Sequence, residues 1–214
     1  MTNAPLKTNL YKKGDAMEAG ILLGVAAGIV HITAYLLYNN DILKNACSPN
    51  NTTWLLWAFL GLLNVSSYVR MSRDLAKSIL PITSATLRFT TLFVIIARGK
   101  WRKPDKYDLS VLIIGICAAV VWYVYKNAAY ANLILQLCYI ISIIPTQRGI
   151  LRNEKNEKIL PWLLWGAGHS LGISVVVARW SGQYQDLAFS AIGAMLNFGT
   201  GILVAAKKHF SKTP

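Results

Sequence analysis

The sequence predicts an all-α membrane protein: seven transmembrane helices, arranged as two parallel three-helix bundles joined by a linker helix. Three observations carry this expectation. Long apolar runs are separated by short charged stretches, the runs lack period-two alternation, and the chain repeats itself internally. Of 214 residues, 54% are hydrophobic and 14% charged, and the mean hydropathy is +0.40. A soluble domain of this length carries roughly a quarter charged residues.

The apolar runs fall at 18–38, 53–71, 75–97, 109–125, 127–147, 160–179 and 185–206. Each approaches the ~20 residues that a helix needs to cross ~30 Å of hydrocarbon. In lipid only helices or closed barrels satisfy the backbone, and runs without strict alternation are helices. The expected organisation is an N-terminal tail (1–17), a first three-helix bundle (18–98), a linker with transmembrane helix 4 (99–126), a second bundle (127–206) and a basic C-terminal tail (207–214). The first twenty residues lack a short apolar core ending in a small-residue cleavage site, so they read as a retained tail. In the first helix, Gly20, Gly24 and Gly28 form a small-residue ridge suited to close helix approach. Pro81 and Pro145 each remove a backbone hydrogen bond and permit bending.

The net charge of +13 invites a nucleic-acid reading, but the basic residues are spread over loops rather than gathered on one face. They are better read as topology signals with an attraction to anionic lipids, and no nucleic-acid partner is expected. Thirteen Lys and Arg residues fall on the side holding 98–106, 148–158 and the C-terminal tail, against eight on the other; Arg88 belongs to neither. The richer side is expected to be cytoplasmic, with the N-terminus outside and the C-terminus inside, in a plasma (inner) membrane. Cys47, Cys117 and Cys138 show neither CxxC nor metal-ligand spacing. Neither disulfide, metal nor cofactor is expected.

The internal repeat is read from three blocks in the same order. Trp54-Leu55-Leu56-Trp57 returns as Trp162-Leu163-Leu164-Trp165. Upstream, Ile42-Leu43-Lys44-Asn45 meets Ile150-Leu151-Arg152-Asn153 at the same shift. Downstream, with one residue inserted, Ala85-Thr86-Leu87-Arg88-Phe89 meets Ala194-Met195-Leu196-Asn197-Phe198, and Thr91 meets Thr200. Two three-helix units in direct succession would insert with opposite orientations. The extra segment 109–125 gives both the same orientation, a parallel repeat about an axis along the membrane normal.

Several polar side chains interrupt the apolar runs. Arg88 stands mid-helix, where a charge costs roughly 2.5–3.5 kcal/mol even on lenient insertion scales, so it should face the interior or a wet cavity. Its repeat mate Asn197 should lie at the same depth, facing it. Trp57 and Trp165, one turn inside the first Trp of each pair, read either as interfacial anchors or as aromatic cavity walls. Asn64 and His169 follow them by seven and four residues; His169 is as readily a histidine bonded to a neighbouring carbonyl, and His31 is a weaker candidate. Asn132 and Gln136, spaced i, i+4, form with Tyr139 and Ser142 a polar stripe for interhelical bonding or a hydrophilic path.

The stretch from Tyr139 through Pro145-Thr146-Gln147, a basic loop, then Pro161-Trp162-Leu-Leu-Trp165 resembles a PQ-loop unit, in which a helix ending in Pro-Gln precedes one opening with Trp. With its 3+1+3 layout the whole chain resembles the SWEET/PQ-loop superfamily, seven-helix facilitators of sugars, amino acids and other small solutes. That resemblance implies a substrate site with paired Asn residues on helices three and seven; Asn197 matches and Arg88 departs. Pro-Gln is Pro-Thr here, and Leu37-Tyr38 in the first copy. The doubled WxxW also resembles the bacterial nicotinamide-riboside (PnuC-type) transporters, which would place Trp54, Trp57, Trp162 and Trp165 around a nucleoside.

The expected function is a carrier that moves a small polar solute by alternating access through a central site of Arg88, Asn197, Trp57, Trp165, Asn64, His169, Asn132 and Gln136. A carboxylate-bearing or phosphorylated solute would account for the Arg, since guanidinium groups bind both bidentately. The alternative is a non-transporting receptor or assembly subunit on the same scaffold, docking an acidic partner or anionic lipid on its basic face. Self-association is left open. The apolar segments contain no His/Asp/Glu/Cys constellation for general acid–base or nucleophilic work, so no enzyme is expected.

Overall fold

The computed structural model describes residues 4–99, 106–125, 127–154 and 156–210. The described residues form eight α-helices and no strand: α1 (Ala4–Leu43), α2 (Asn51–Ser72), α3 (Leu75–Ala97), α4 (Lys106–Tyr125), α5 (Ala128–Ser142), α6 (Ile144–Leu151), α7 (Ile159–Ala178) and α8 (Gln185–Phe210). Six spans among them are long and apolar enough to cross a membrane: Gly14–Leu43, α2, α3, Ala128–Leu151 (α5 with α6), α7 and α8. Six such spans mark the chain as an integral membrane protein. The expected fourth run, 109–125, lies within the 20 residues of α4, whose side chains are described only in part. Residues 4–17, read as tail, continue α1 as helix.

The helix ends follow from local chemistry. The side chains of Asn50 and Asp74 accept hydrogen bonds from the first free N–H groups of α2 and α3, as N-caps do. The two prolines act differently. Pro81 sits inside an unbroken α3. At Pro145 the helix is interrupted at Ile143 and resumes as α6, with the proline in its first turn, where a missing N–H costs little.

Helix α3 packs on both α1 and α2, and α8 on both α5 and α7. Helix α1 packs on α7, and α2 on α5. Exchanging the two repeat copies maps this set of contacts onto itself. The ridge on α1 is used as expected: a Cβ at Gly24 would stand 2.9 Å from the Ala76 carbonyl oxygen, and one at Gly28 would stand 3.3 Å from Ile79, both on α3.

The repeat is legible in the backbone itself. Asn45 and Asn153 are mates at the shift of the Trp blocks, and both adopt the left-handed conformation, with φ of 55° and 59°. Around them the same two bonds form: Asn45 N–H to Ile42 O and Ala46 N–H to Asp41 O, then Asn153 N–H to Ile150 O and Glu154 N–H to Gly149 O. These are matching Schellman-type ends, with Asn in the position usually held by Gly. Mates also meet. At this end Ser48 N–H donates to Asn156 O, its mate at the same shift, at 2.9 Å. At the opposite end Lys77 and Asp186, mates at the longer downstream shift, form an ion pair of 2.5 Å with both side chains buried.

Between these ends four tryptophans pack in a self-matching set. Trp54 and Trp57 lie 5.3 Å apart by ring centroid, as Trp162 and Trp165 lie 5.2 Å apart. The cross-contacts Trp54–Trp165 at 5.9 Å and Trp57–Trp162 at 6.1 Å are repeat equivalents. All four rings are buried, so these tryptophans are core residues rather than interfacial anchors. Glu157 joins them, accepting from Tyr38 Oη at 3.0 Å and Trp162 Nε1 at 3.2 Å.

Removing one member of a buried ion pair strands the other charge, at a cost of about 3–5 kcal/mol, whereas replacing both by apolar groups is far milder. Lys77→Met should therefore lower the thermal stability of detergent-purified protein substantially, and Lys77→Met with Asp186→Leu should regain most of the loss. A single variant that melts with the wild type would show that the pair does not fasten α3 to α8.

Candidate functional site

A cavity of about 40 Å³ lies among α1, α2, α3, α5, α7 and α8. Water needs roughly 10–15 Å³ of such volume, so the space is small. Its lining comes from helical spacing. His31 and Tyr35 lie one turn apart on α1, Trp165 and His169 one turn apart on α7, and Gln136 and Tyr139 on α5. Helix α2 contributes Trp57 and α3 contributes Arg88; Ile143 comes from the α5–α6 junction. Helix α8 lends Phe189, Ile192, Gly193, Leu196 and Asn197.

Arg88 is 8% exposed, well over two turns from the end of α3. One terminal nitrogen, Nη1, donates to the Tyr139 hydroxyl and to the Trp57 carbonyl oxygen, the latter at 3.5 Å. The guanidinium carbon lies 4.7 Å from the Tyr139 ring centroid and 5.9 Å from that of Trp57, within cation–π range. None of the residues lining the cavity is a carboxylate. The buried Asp186 is engaged by Lys77, three turns before Arg88 on α3, roughly 16 Å along the helix.

The two histidines meet edge to face at 4.9 Å. Two glycines make room for them. A Cβ at Gly168 would collide with the His31 imidazole, and one at Gly193 with that of His169. Four residues that line the cavity carry a buried polar atom without a hydrogen-bond partner: Arg88 Nε, Trp165 Nε1, His31 Nδ1 and His169 Nδ1. Buried polar groups are paired in the large majority of cases, so these four are exceptions gathered on the residues around one small cavity. His169 is not the carbonyl-bonded histidine that the sequence also allowed.

Of the residues singled out from sequence, Arg88, Asn197, Trp57, Trp165, His169 and Gln136 line this cavity. Arg88 and Asn197 share it, and Asn197 Nδ2 donates to the Gly193 carbonyl of its own helix at 2.7 Å. Asn64 and Asn132 do not line it. They form an amide cluster behind Gln136: Asn64 Oδ1 accepts from Asn132 Nδ2 at 3.0 Å and Gln136 Nε2 at 2.8 Å, and Asn132 Nδ2 also reaches Ser67 Oγ at 3.1 Å. That cluster joins α2 to α5. Ser142 receives the Trp57 Nε1 hydrogen at 2.7 Å, which fixes that ring.

Sequence reasoning missed Tyr35, Ile143 and Phe189, and undervalued His31. The repeat itself held the signal for three of them: extended back from Ile42 and Ile150 at the same shift, it pairs His31 with Tyr139 and Tyr35 with Ile143, all four on the cavity wall. No protein-family model, curated protein or solved structure matches this chain.

Substituting Asn64 by Leu removes the shared acceptor of the amide cluster. Interhelical hydrogen bonds in membranes are worth roughly 0.6–2 kcal/mol each, so Asn64→Leu should lower thermal stability by about 1–2 kcal/mol. Unchanged melting of the purified variant would mean that the cluster is not a fastening.

Proposed function

We propose that the chain is a membrane carrier that moves a small polar solute by alternating access through the Arg88 cavity. The observation that carries this reading is a small cavity lined by Arg88, Trp165, His31 and His169, each of which holds a buried polar atom without a hydrogen-bond partner. In this reading α4 is a seventh spanning helix and a linker. It joins two parallel three-helix bundles, one of α1, α3 and α2, the other of α5–α6, α8 and α7. The contacts between repeat mates at both ends, and a helix packing pattern that survives exchange of the copies, support that arrangement.

Each end of the cavity has a closure to open. On one side, Lys77 with Asp186 holds the first turns of α3 and α8 together. On the other, the tryptophan set, Glu157 and the Ser48–Asn156 bond hold the two halves. Rocking one bundle against the other would break one closure while keeping the second, as parallel-repeat carriers require. The resemblance to PQ-loop and SWEET carriers belongs to the same proposal. So does the orientation, with N-terminus outside and C-terminus cytoplasmic in a plasma membrane, basic loops facing anionic lipid, and no enzymatic activity.

The test is uptake into proteoliposomes from a radiolabelled panel of sugars, nucleosides, amino acids and organic anions. Wild-type protein should accumulate at least one class above empty vesicles, and Arg88→Ala should lose that uptake by tenfold or more while eluting as folded protein in size-exclusion chromatography. Normal uptake by the variant would remove Arg88 from the site, and no uptake of any class by the wild type would sink the carrier reading.

A further inference from the structure

Among the described residues that line the cavity, Arg88 alone carries a permanent charge, and none is a carboxylate. The carboxylates buried among the described residues are those of Asp186 and Glu157, and both are engaged elsewhere. Asp186 is paired with Lys77, and Glu157 accepts from Tyr38 and Trp162. The groups that receive the Arg88 Nη1 hydrogens, the Tyr139 hydroxyl and the Trp57 carbonyl, are neutral. Water in the cavity completes hydrogen bonds but leaves the charge of the guanidinium standing. A buried cation without a counter-charge is costly inside a membrane protein, and an anion beside it lowers that cost.

Size and chemistry narrow the anion. At roughly 10–15 Å³ of such volume per water, a space of about 40 Å³ holds about three waters. That is room for one to about three heavy atoms and not for a ring. Two of the aromatic walls, Tyr35 and Trp165, are already in contact edge to face at 4.9 Å by ring centroid, so nothing flat slides between them. Arg88 Nε and Trp165 Nε1 are buried N–H groups without a partner, and both can only donate. A solute made of acceptors suits these residues, whereas a neutral amide or alcohol brings hydrogens that need acceptors of their own.

From these observations we infer that the cavity takes a monovalent anion of one to about three heavy atoms, such as a halide or formate, held against the Arg88 guanidinium. One guanidinium balances one negative charge, and a divalent anion brings a second charge for which the lining has no permanent cation. A cation of the same size meets the guanidinium with no carboxylate in the lining to offset the repulsion. The inference names the solute class of the proposed carrier and rests on that reading for the solute's route, but its binding is measurable apart from transport.

Formate, formamide and formamidinium are the deciding probes, since they share one planar skeleton and differ in being anionic, neutral and cationic. Binding is measured by equilibrium dialysis of the detergent-purified full chain against radiolabelled formate, in a buffer free of halide and other small anions. Chloride should displace the label, while formamide, formamidinium and the oversized benzoate should need at least tenfold higher concentrations. Arg88→Gln should weaken formate binding tenfold or more. Should that variant not fold, Trp165→Phe, which keeps a ring and loses the N–H, decides instead through a severalfold loss. No binding of formate, no displacement by chloride, displacement by any of the other three as effective as chloride's, or undiminished binding in the deciding variant would overturn the inference. Formate that binds as expected, while neither it nor any solute of the uptake panel is moved in proteoliposomes, overturns the carrier reading and leaves the anion site standing. Uptake of a larger or neutral solute with no formate binding does the reverse.

Discussion

A guanidinium buried in mid-helix, with no carboxylate among the described residues that line its cavity, is the constraint around which the site is organised. Arg88 cannot turn toward lipid without the cost of exposing a charge to hydrocarbon, so it points inward, and its neighbours are chosen for what a lone cation tolerates. Tyr139 offers a hydroxyl and a ring face, and Trp57 a carbonyl and an indole. Trp57 is in turn held by Ser142. The glycines at 168 and 193 then let two imidazoles approach as closely as they do.

The repeat supplies the frame in which that charge sits. The copies meet along their symmetry axis: Ser48 touches its mate Asn156, Lys77 its mate Asp186, and each Trp pair packs on the other through equivalent contacts. Where they diverge, the chemistry becomes one-sided. Arg88 stands against Asn197 and His31 against Tyr139. Gly24 and Gly28 of α1 correspond to Asn132 and Gln136 of α5. On α1 those positions carry no side chain, so α3 packs close; on α5 they bond α5 to Asn64 of α2. One repeat unit is thus packed by small residues and the other is tied by amides, and a charged, aromatic cavity lies between them.

Residues with unusual chemistry for their surroundings are legible in the sequence. Arg88 is conspicuous because an apolar run makes any charge stand out, and the Trp pairs because a four-residue word recurs. Tyr35, Phe189 and Ile143 are not, because an aromatic or aliphatic residue in an apolar helix looks the same whether it faces lipid, core or cavity. Asn64 and Asn132 illustrate the converse. Their polarity is visible, but whether an amide completes a neighbouring amide or awaits a ligand depends on helix rotation to within one residue, which spacing along the chain does not give. The break at Ile143 shows a similar limit. Pro81 and Pro145 are alike as residues, yet α3 runs through one and the helix is interrupted beside the other.

By itself the sequence determined the helical, membrane-spanning class, the repeat and its register, and the presence of a charge in mid-helix, because each of these is a property of composition and spacing along one chain. Only the tertiary structure decided that Lys77 and Asp186, from opposite halves of the chain, neutralise each other while Arg88 goes without a carboxylate. It also decided that the tryptophans are core, and that four residues with an unpartnered buried polar atom line one small space. Those outcomes depend on how helices rotate and cross, and hence on which side chains from distant segments arrive within a few ångströms of one another.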